Sequence, residues 1–273
     1  MNLLPASRLT AALLTAAPGL AALLPGAAFA QGFAAYISPP RFEVQADAGK
    51  PLRQVLEIQH VGQQKGNYRV YTADWTFNAD NAVSFSTELA PDSCRPWVAL
   101  ERRELSIEPG ARYRFRFEIS PPAGTPPREC RFALMVEGLD PAKVQGAISF
   151  PVGGRIGVIV YAAIGGAAPQ LAISTLQVSP VNGQATATLD VRNTGNAHGR
   201  LEGFVNGTDA AGTQFEMSPA DLPILPGETR RVALSPVPED GKAAPEIRFP
   251  LSVKGRLEWG ANRLPLDASF VAP

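Results

Sequence analysis

Arg112-Tyr113-Arg114-Phe115-Arg116-Phe117-Glu118-Ile119 alternates charged and large apolar side chains without a break. An extended chain points successive side chains to opposite faces, so Tyr113, Phe115, Phe117 and Ile119 share one face and the three arginines share the other. A helix would scatter the same residues around its axis. The segment is therefore read as a strand with its aromatics in a core and its arginines in water. Interleaved arginine and aromatic residues also suit a nucleic-acid platform. Against that use, the chain carries 25 Lys+Arg and 25 Asp+Glu, so no net field attracts a polyanion.

Turn chemistry brackets this strand and others like it. Glu108-Pro109-Gly110 precedes it and Pro121-Pro122-Ala123-Gly124 follows, while Asp47-Ala48-Gly49-Lys50-Pro51 separates two earlier apolar runs. Between such signals, strands are expected at residues 35–42, 52–60, 67–77, 83–89, 98–107, 113–119, 129–136 and 147–163. No sustained period-3.6 pattern occurs after the amino-terminal segment, and Pro 26 and Gly 25 fit many short strands joined by tight turns. The spacing implies an all-β chain whose first half is an immunoglobulin-like sandwich. Gly165-Gly166-Ala167-Ala168-Pro169 reads as a linker, and a second strand series follows. There Ala185, Ala187, Leu189 and Val191 alternate with polar residues. Asn206-Gly207, Asp240-Gly241 and Leu225-Pro226-Gly227-Glu228 supply turns, the last before a strand at 229–234. The expected organisation is a leader at residues 1–30, a sandwich at 31–164, a linker at 165–169 and a second immunoglobulin-like sandwich at 170–273.

The leader follows from Arg8, the Ala/Leu-rich stretch after it and Ala28-Phe29-Ala30, a small-x-small cleavage site. Its unbroken apolar runs are too short for a spanning helix, so export without membrane insertion is expected. Removing Arg8 leaves 24 cations against 25 anions, a net charge of −1. Cys94 and Cys130, the only cysteines, fit one structural disulfide in an oxidising compartment.

Ala147-Ile148-Ser149-Phe150-Pro151-Val152-Gly153-Gly154-Arg155-Ile156-Gly157-Val158-Ile159-Val160-Tyr161 begins with bulky groups on alternate positions and ends in a continuous apolar run. Ile148, Phe150 and Val152 project to one side of a strand, where they line either a core or an open ledge for an extended partner. Pro151 removes one backbone donor there, which a sheet edge tolerates.

Taken in order, these features resemble the amino-terminal domain of the PapD-like periplasmic pilus chaperones. The similar segments are Ser38-Pro39-Pro40-Arg41-Phe42-Glu43-Val44, Val55-Leu56-Glu57-Ile58, Tyr68-Arg69-Val70 up to Trp75, Ile107-Glu108-Pro109-Gly110, Arg128-Glu129-Cys130-Arg131-Phe132-Ala133-Leu134 and the last strand with Arg155. The resemblance implies a periplasmic chaperone that lends a strand to a pilin-type or other exported subunit, with an outer-membrane usher as a further partner. It places donor side chains at Ile148, Phe150 and Val152 and a carboxylate-anchoring arginine at Arg41. The family's second anchor, a lysine, falls on Gly157, and Arg155 on the same face is the residue expected to take the charge. The alternative is a structural or adhesive sandwich of the envelope.

Catalysis is not expected. His60 and His198 are the only histidines, no HExxH, GxSxG or phosphate-loop pattern occurs, and no cofactor or metal is implied. His198 sits in Asn193-Thr194-Gly195-Asn196-Ala197-His198-Gly199-Arg200, a polar turn-like stretch where a lone histidine is read as solvated or structural.

Overall fold

The structure, a computed structural model, describes residues 33–140, 142–143, 151–238 and 245–272. The leader, Ile148, Phe150 and Asp240-Gly241 lie outside the described residues. Among the described residues the regular elements are all strands, apart from one 3-10 turn at Arg95–Trp97.

The first unit contains β1 (Ala35–Ser38), β2 (Arg41–Ala46), β3 (Leu52–His60), β4 (Gly66–Phe77), β5 (Val83–Ser86), β6 (Val98–Leu100), β7 (Glu104–Ile107), β8 (Arg112–Ile119), β9 (Arg128–Gly138), β10 (Ala142–Lys143), β11 (Pro151–Val152) and β12 (Arg155–Ile164). One sheet has the order β1-β3-β8-β6 and the facing sheet the order β2-β12-β9-β4-β5, with β7 also on β4. Alternation in β8 does what its pattern predicts: Phe115, Phe117 and Ile119 are buried, while Arg112, Arg114 and Arg116 are exposed. From the facing sheet Phe132, Leu134, Val158 and Val160 complete the core. Phe117 meets Phe42 and Phe132 edge to face at 5.2 and 6.4 Å. Side chains of this size contribute about 1.5–3 kcal/mol each on full burial.

Three expected strands divide. Residues 35–42 break at Pro39-Pro40, and the chain changes sheets: β1 pairs antiparallel with β3, whereas β2 runs parallel to β12. Residues 98–107 likewise split into β6 on β8 and β7 on β4, one in each sheet. Residues 147–163 break at Gly153-Gly154 between β11 and β12. The β10 and β11 pair prolongs β9 and β12 as a hairpin.

The second unit contains β13 (Leu171–Val181), β14 (Gln184–Asn193), β15 (Val205–Thr208), β16 (Gln214–Pro219), β17 (Thr229–Pro236), β18 (Leu251–Trp259) and β19 (Asn262–Phe270). They form one antiparallel sheet of order β13-β14-β17-β16-β15-β18-β19, folded so that β13 returns to β19. Its two layers enclose Leu189, Val191, Met217, Val232, Val253 and Phe270. The chain is thus all-β, with two immunoglobulin-like sandwiches, the layers of the second being one continuous sheet. Asn206-Gly207 is not a turn: both residues lie inside β15, where a Cβ on Gly207 would meet Met217 Sδ at 2.5 Å. The hairpin between β13 and β14 turns instead at Asn182-Gly183, both with positive φ.

Candidate partner-binding cleft

Strands β2, β9 and β12 carry the first sandwich's contribution to the junction with the second. Phe42 points into the core, so Arg41 and Glu43 point outward. Register sets Ile159 beside Arg41 and Tyr161 beside Glu43 on β12, and Tyr161 beside Arg131 on β9. The second sandwich answers with His198 and Arg200, from the segment between β14 and β15, and Asp221, from the segment between β16 and β17. The cleft between them, of ≈ 350 Å³, is lined by Glu43, Tyr161, Ala167, His198, Arg200 and Trp259 among others.

His198 is largely enclosed, its side chain 9% exposed. Its Nδ1 donates to Glu129 Oε2 at 2.5 Å, its backbone N–H donates to the same oxygen at 2.9 Å, and its ring stacks on Tyr161 with centroids 3.6 Å apart. Nε2 lies 3.6 Å from Glu43 Oε1, an ion-pair separation too long for a direct hydrogen bond. Burial opposes charge on the imidazole, but the contacts to Glu129 and Glu43 outweigh it and raise the pKa. In return the imidazolium, aided by Arg200 and Arg41, holds Glu43 down to about 2 despite partial burial. Burial pushes the Tyr161 hydroxyl up to about 12.

Arg41 and Arg200 share two carboxylates. Arg41 contacts Glu43 at 2.7 Å through Nε and Asp221 at 3.1 Å through Nη1. Arg200 reaches Asp221 at 2.7 Å and Glu43 at 3.3 Å. Burial alone would raise the Asp221 carboxyl, yet the charge of Arg200 and the bonds to both arginines lower it.

Of the site residues expected from sequence, Arg41 joins the ion-pair network at this junction, through Glu43 and Asp221. Arg155 shares the outer face of β12 but lies opposite Glu137, four residues before the level of Arg41. Among the described residues it forms no ion pair. Gly157 has no room for the family's lysine: a Cβ there would lie 2.5 Å from Phe85 Cζ and 3.1 Å from Met135 Sδ. Val152 lies in β11, and Ile148 and Phe150 are outside the described residues. Cys94 and Cys130 are joined, tying the 3-10 turn to β9. Closing a loop of separation 36 contributes about 4 kcal/mol in the chain-entropy model.

Sequence reading missed Glu129, His198, Arg200 and Asp221. Of the two readings left open for His198, solvated or structural, the structure takes the second: the side chain is 9% exposed and bonded to Glu129. One signal was available, since a glutamate at the head of the apolar run Cys130 to Val136 must be paired if it is buried.

Among the described residues no group of three metal-ligating side chains converges, and no helix is long and apolar enough to cross a membrane.

No family model matches the chain, and no curated protein matches it. Among solved structures, the chain is similar to the class 5 fimbriae chaperone CfaA, with 12% identity over 88% of this chain and 100% of that one and a TM-score of 0.44. The YadV chaperone is 11% identical over 87% and 100%, with a TM-score of 0.47. The CsuC–CsuE complex of chaperone and tip adhesion subunit from Acinetobacter baumannii Csu pili matches at 14% over 88% and 100%, with a TM-score of 0.46.

Proposed function

We propose that this protein is a periplasmic chaperone that holds an exported pilin-type subunit by lending it a strand and anchoring its carboxyl terminus, and hands it on to an outer-membrane usher. The observation that carries the reading is the edge of β12. Residues Arg155 to Val158 bond to β9 on one side, while β2 takes up the other side only from Ile159 onward. Val158, Val160, Ala162 and Ile164 face the sandwich core, and the same face leaves the core at Ile156, which is 36% exposed.

An open edge carrying apolar side chains recruits a strand, because backbone groups supply hydrogen bonds and alternate side chains fill pockets. In this reading Ile148, Phe150 and Val152 are the donor side chains. Filling a partner's groove with three such groups contributes about 5–8 kcal/mol before ordering costs. Arg41 receives the partner's terminal carboxylate, and Arg155 provides a second basic contact along the outer face.

Phe150→Asp is the test. The variant is expected to lose co-purification of its periplasmic partner while melting close to the wild type. Collapse of the fold would assign Phe150 to a core and end the strand-lending role.

A further inference from the structure

Asp221 places one carboxylate oxygen on each of two guanidiniums that come from different sandwiches: Oδ2 accepts from Arg41 at 3.1 Å and Oδ1 from Arg200 at 2.7 Å. We propose that Arg41 and Arg200 form a two-arginine carboxylate site across the junction, and that Asp221 occupies it as an internal stand-in until a polypeptide's C-terminal carboxylate displaces it. The proposal rests on the chaperone reading for the identity of the chain end.

Three observations support it. First, the bridging geometry suits a terminal carboxylate, whose two oxygens match paired guanidinium donors. Second, Asp221 is the displaceable member. Its side chain is 64% exposed and it lies between strands, so it can swing out without breaking a ladder. Glu43, the other acid on both arginines, is held in addition by His198. Third, Arg200 is built in: its side chain is only 9% exposed and its Nε is already paired with Glu43 at 3.3 Å, so the guanidinium is held in place while Nη1 faces the carboxylate of Asp221. Charge balance agrees, because exchanging Asp221 for one external carboxylate leaves two cations facing two anions. The site also differs from a pairing of Arg41 with Arg155, since Arg155 lies four residues away along β12.

The test titrates the full chain with a fluorescein-labelled alternating Val/Thr peptide bearing either a free C-terminal carboxylate or a carboxamide. The acid is expected to bind and the amide to bind much more weakly. Asp221→Asn should tighten the acid about tenfold, as removing an internal competitor raises the competent fraction from ~0.1 towards ~1, and leave the amide unchanged. Arg200→Lys should weaken the acid, because it keeps the charge and loses the fork. N-acetylglycine, a small carboxylate, should displace the peptide only at far higher concentration. Equal binding of acid and amide, or an Asp221→Asn protein that melts normally and binds the acid no better, overturns the site. N-acetylglycine as potent as the peptide overturns the chain-end assignment. Asp221→Ser repeats the comparison should Asp221→Asn melt abnormally. The chaperone reading fails separately, by absence of a co-purified partner, which the peptide titration does not involve.

Discussion

A histidine enclosed by carboxylates gains its proton at the junction and loses it where they are absent, so His198 links the two sandwiches in a pH-dependent way. Its folded pKa is raised above the usual 6.5. Its stabilising contribution is therefore complete below that value and is lost as pH rises through the raised one. Glu43 works in the opposite direction. Held at about 2 against a usual 4.5, it contributes above 4.5 and fails as pH falls towards 2. Glu129, Glu43, Arg131, Arg200 and Tyr161 all face or flank the imidazole. His198→Gln keeps a hydrogen-bonding side chain without the charge. Its melting temperature is expected to fall furthest below wild type near about pH 5.5, with the gap narrowing by about pH 9 as the wild-type ring deprotonates. A gap of constant size across that range would mean that folding does not shift the His198 titration.

Strand positions were largely legible in sequence, because period-2 burial leaves its mark residue by residue: β3 begins and ends where alternation and flanking turns put it. Sheet membership was not legible. Nothing in the alternation of residues 98–107 says that Val98–Leu100 bonds to β8 while Glu104–Ile107 crosses to β4, since that choice depends on partners distant in sequence. Asn206-Gly207 misled for a related reason. Its glycine serves close packing on Met217 rather than a turn. The junction divides in the same manner: Arg41 was marked only by the resemblance of its segment to a known family, whereas His198, Arg200 and Asp221 acquire meaning only when the second sandwich meets the first. Gly157 shows an element excluding a residue. Phe85, on β5, reaches over β9 to cover it, so Gly157→Lys is expected to cost about 1–3 kcal/mol by displacing the ring. Urea denaturation of Gly157→Lys, Phe85→Ala and the double variant checks this. The lysine's cost should largely vanish when the ring is absent, and strictly additive costs would clear Phe85 of the role.

The two sandwiches also meet at a second place, away from the carboxylate network, and this bears on whether the cleft keeps its shape. Arg230, 4% exposed on β17, lies over the Phe77 ring at 4.0 Å and donates to Asn78 O at 3.0 Å and Asn81 Oδ1 at 2.7 Å, while also pairing with Glu228. The tip of the β4–β5 hairpin is thereby clasped by the second sandwich, and the same hairpin carries Phe85 over Gly157. A displacement that opens the cleft must loosen this clasp or pivot about it, so the hairpin couples the outer face of the first sandwich to the position of the second. Arg230→Met keeps an apolar stem against Phe77 and removes the donors. Charge-assisted hydrogen bonds of this kind contribute about 1.5–3 kcal/mol each. Their loss is therefore expected to speed hydrogen exchange at the tip amides of Asn78, Asn81 and Ala82, which are bonded within the turn. The β14–β17 ladder, packed in its own core, should keep wild-type protection. Unchanged exchange at the tip would mean that the hairpin holds itself in place without Arg230.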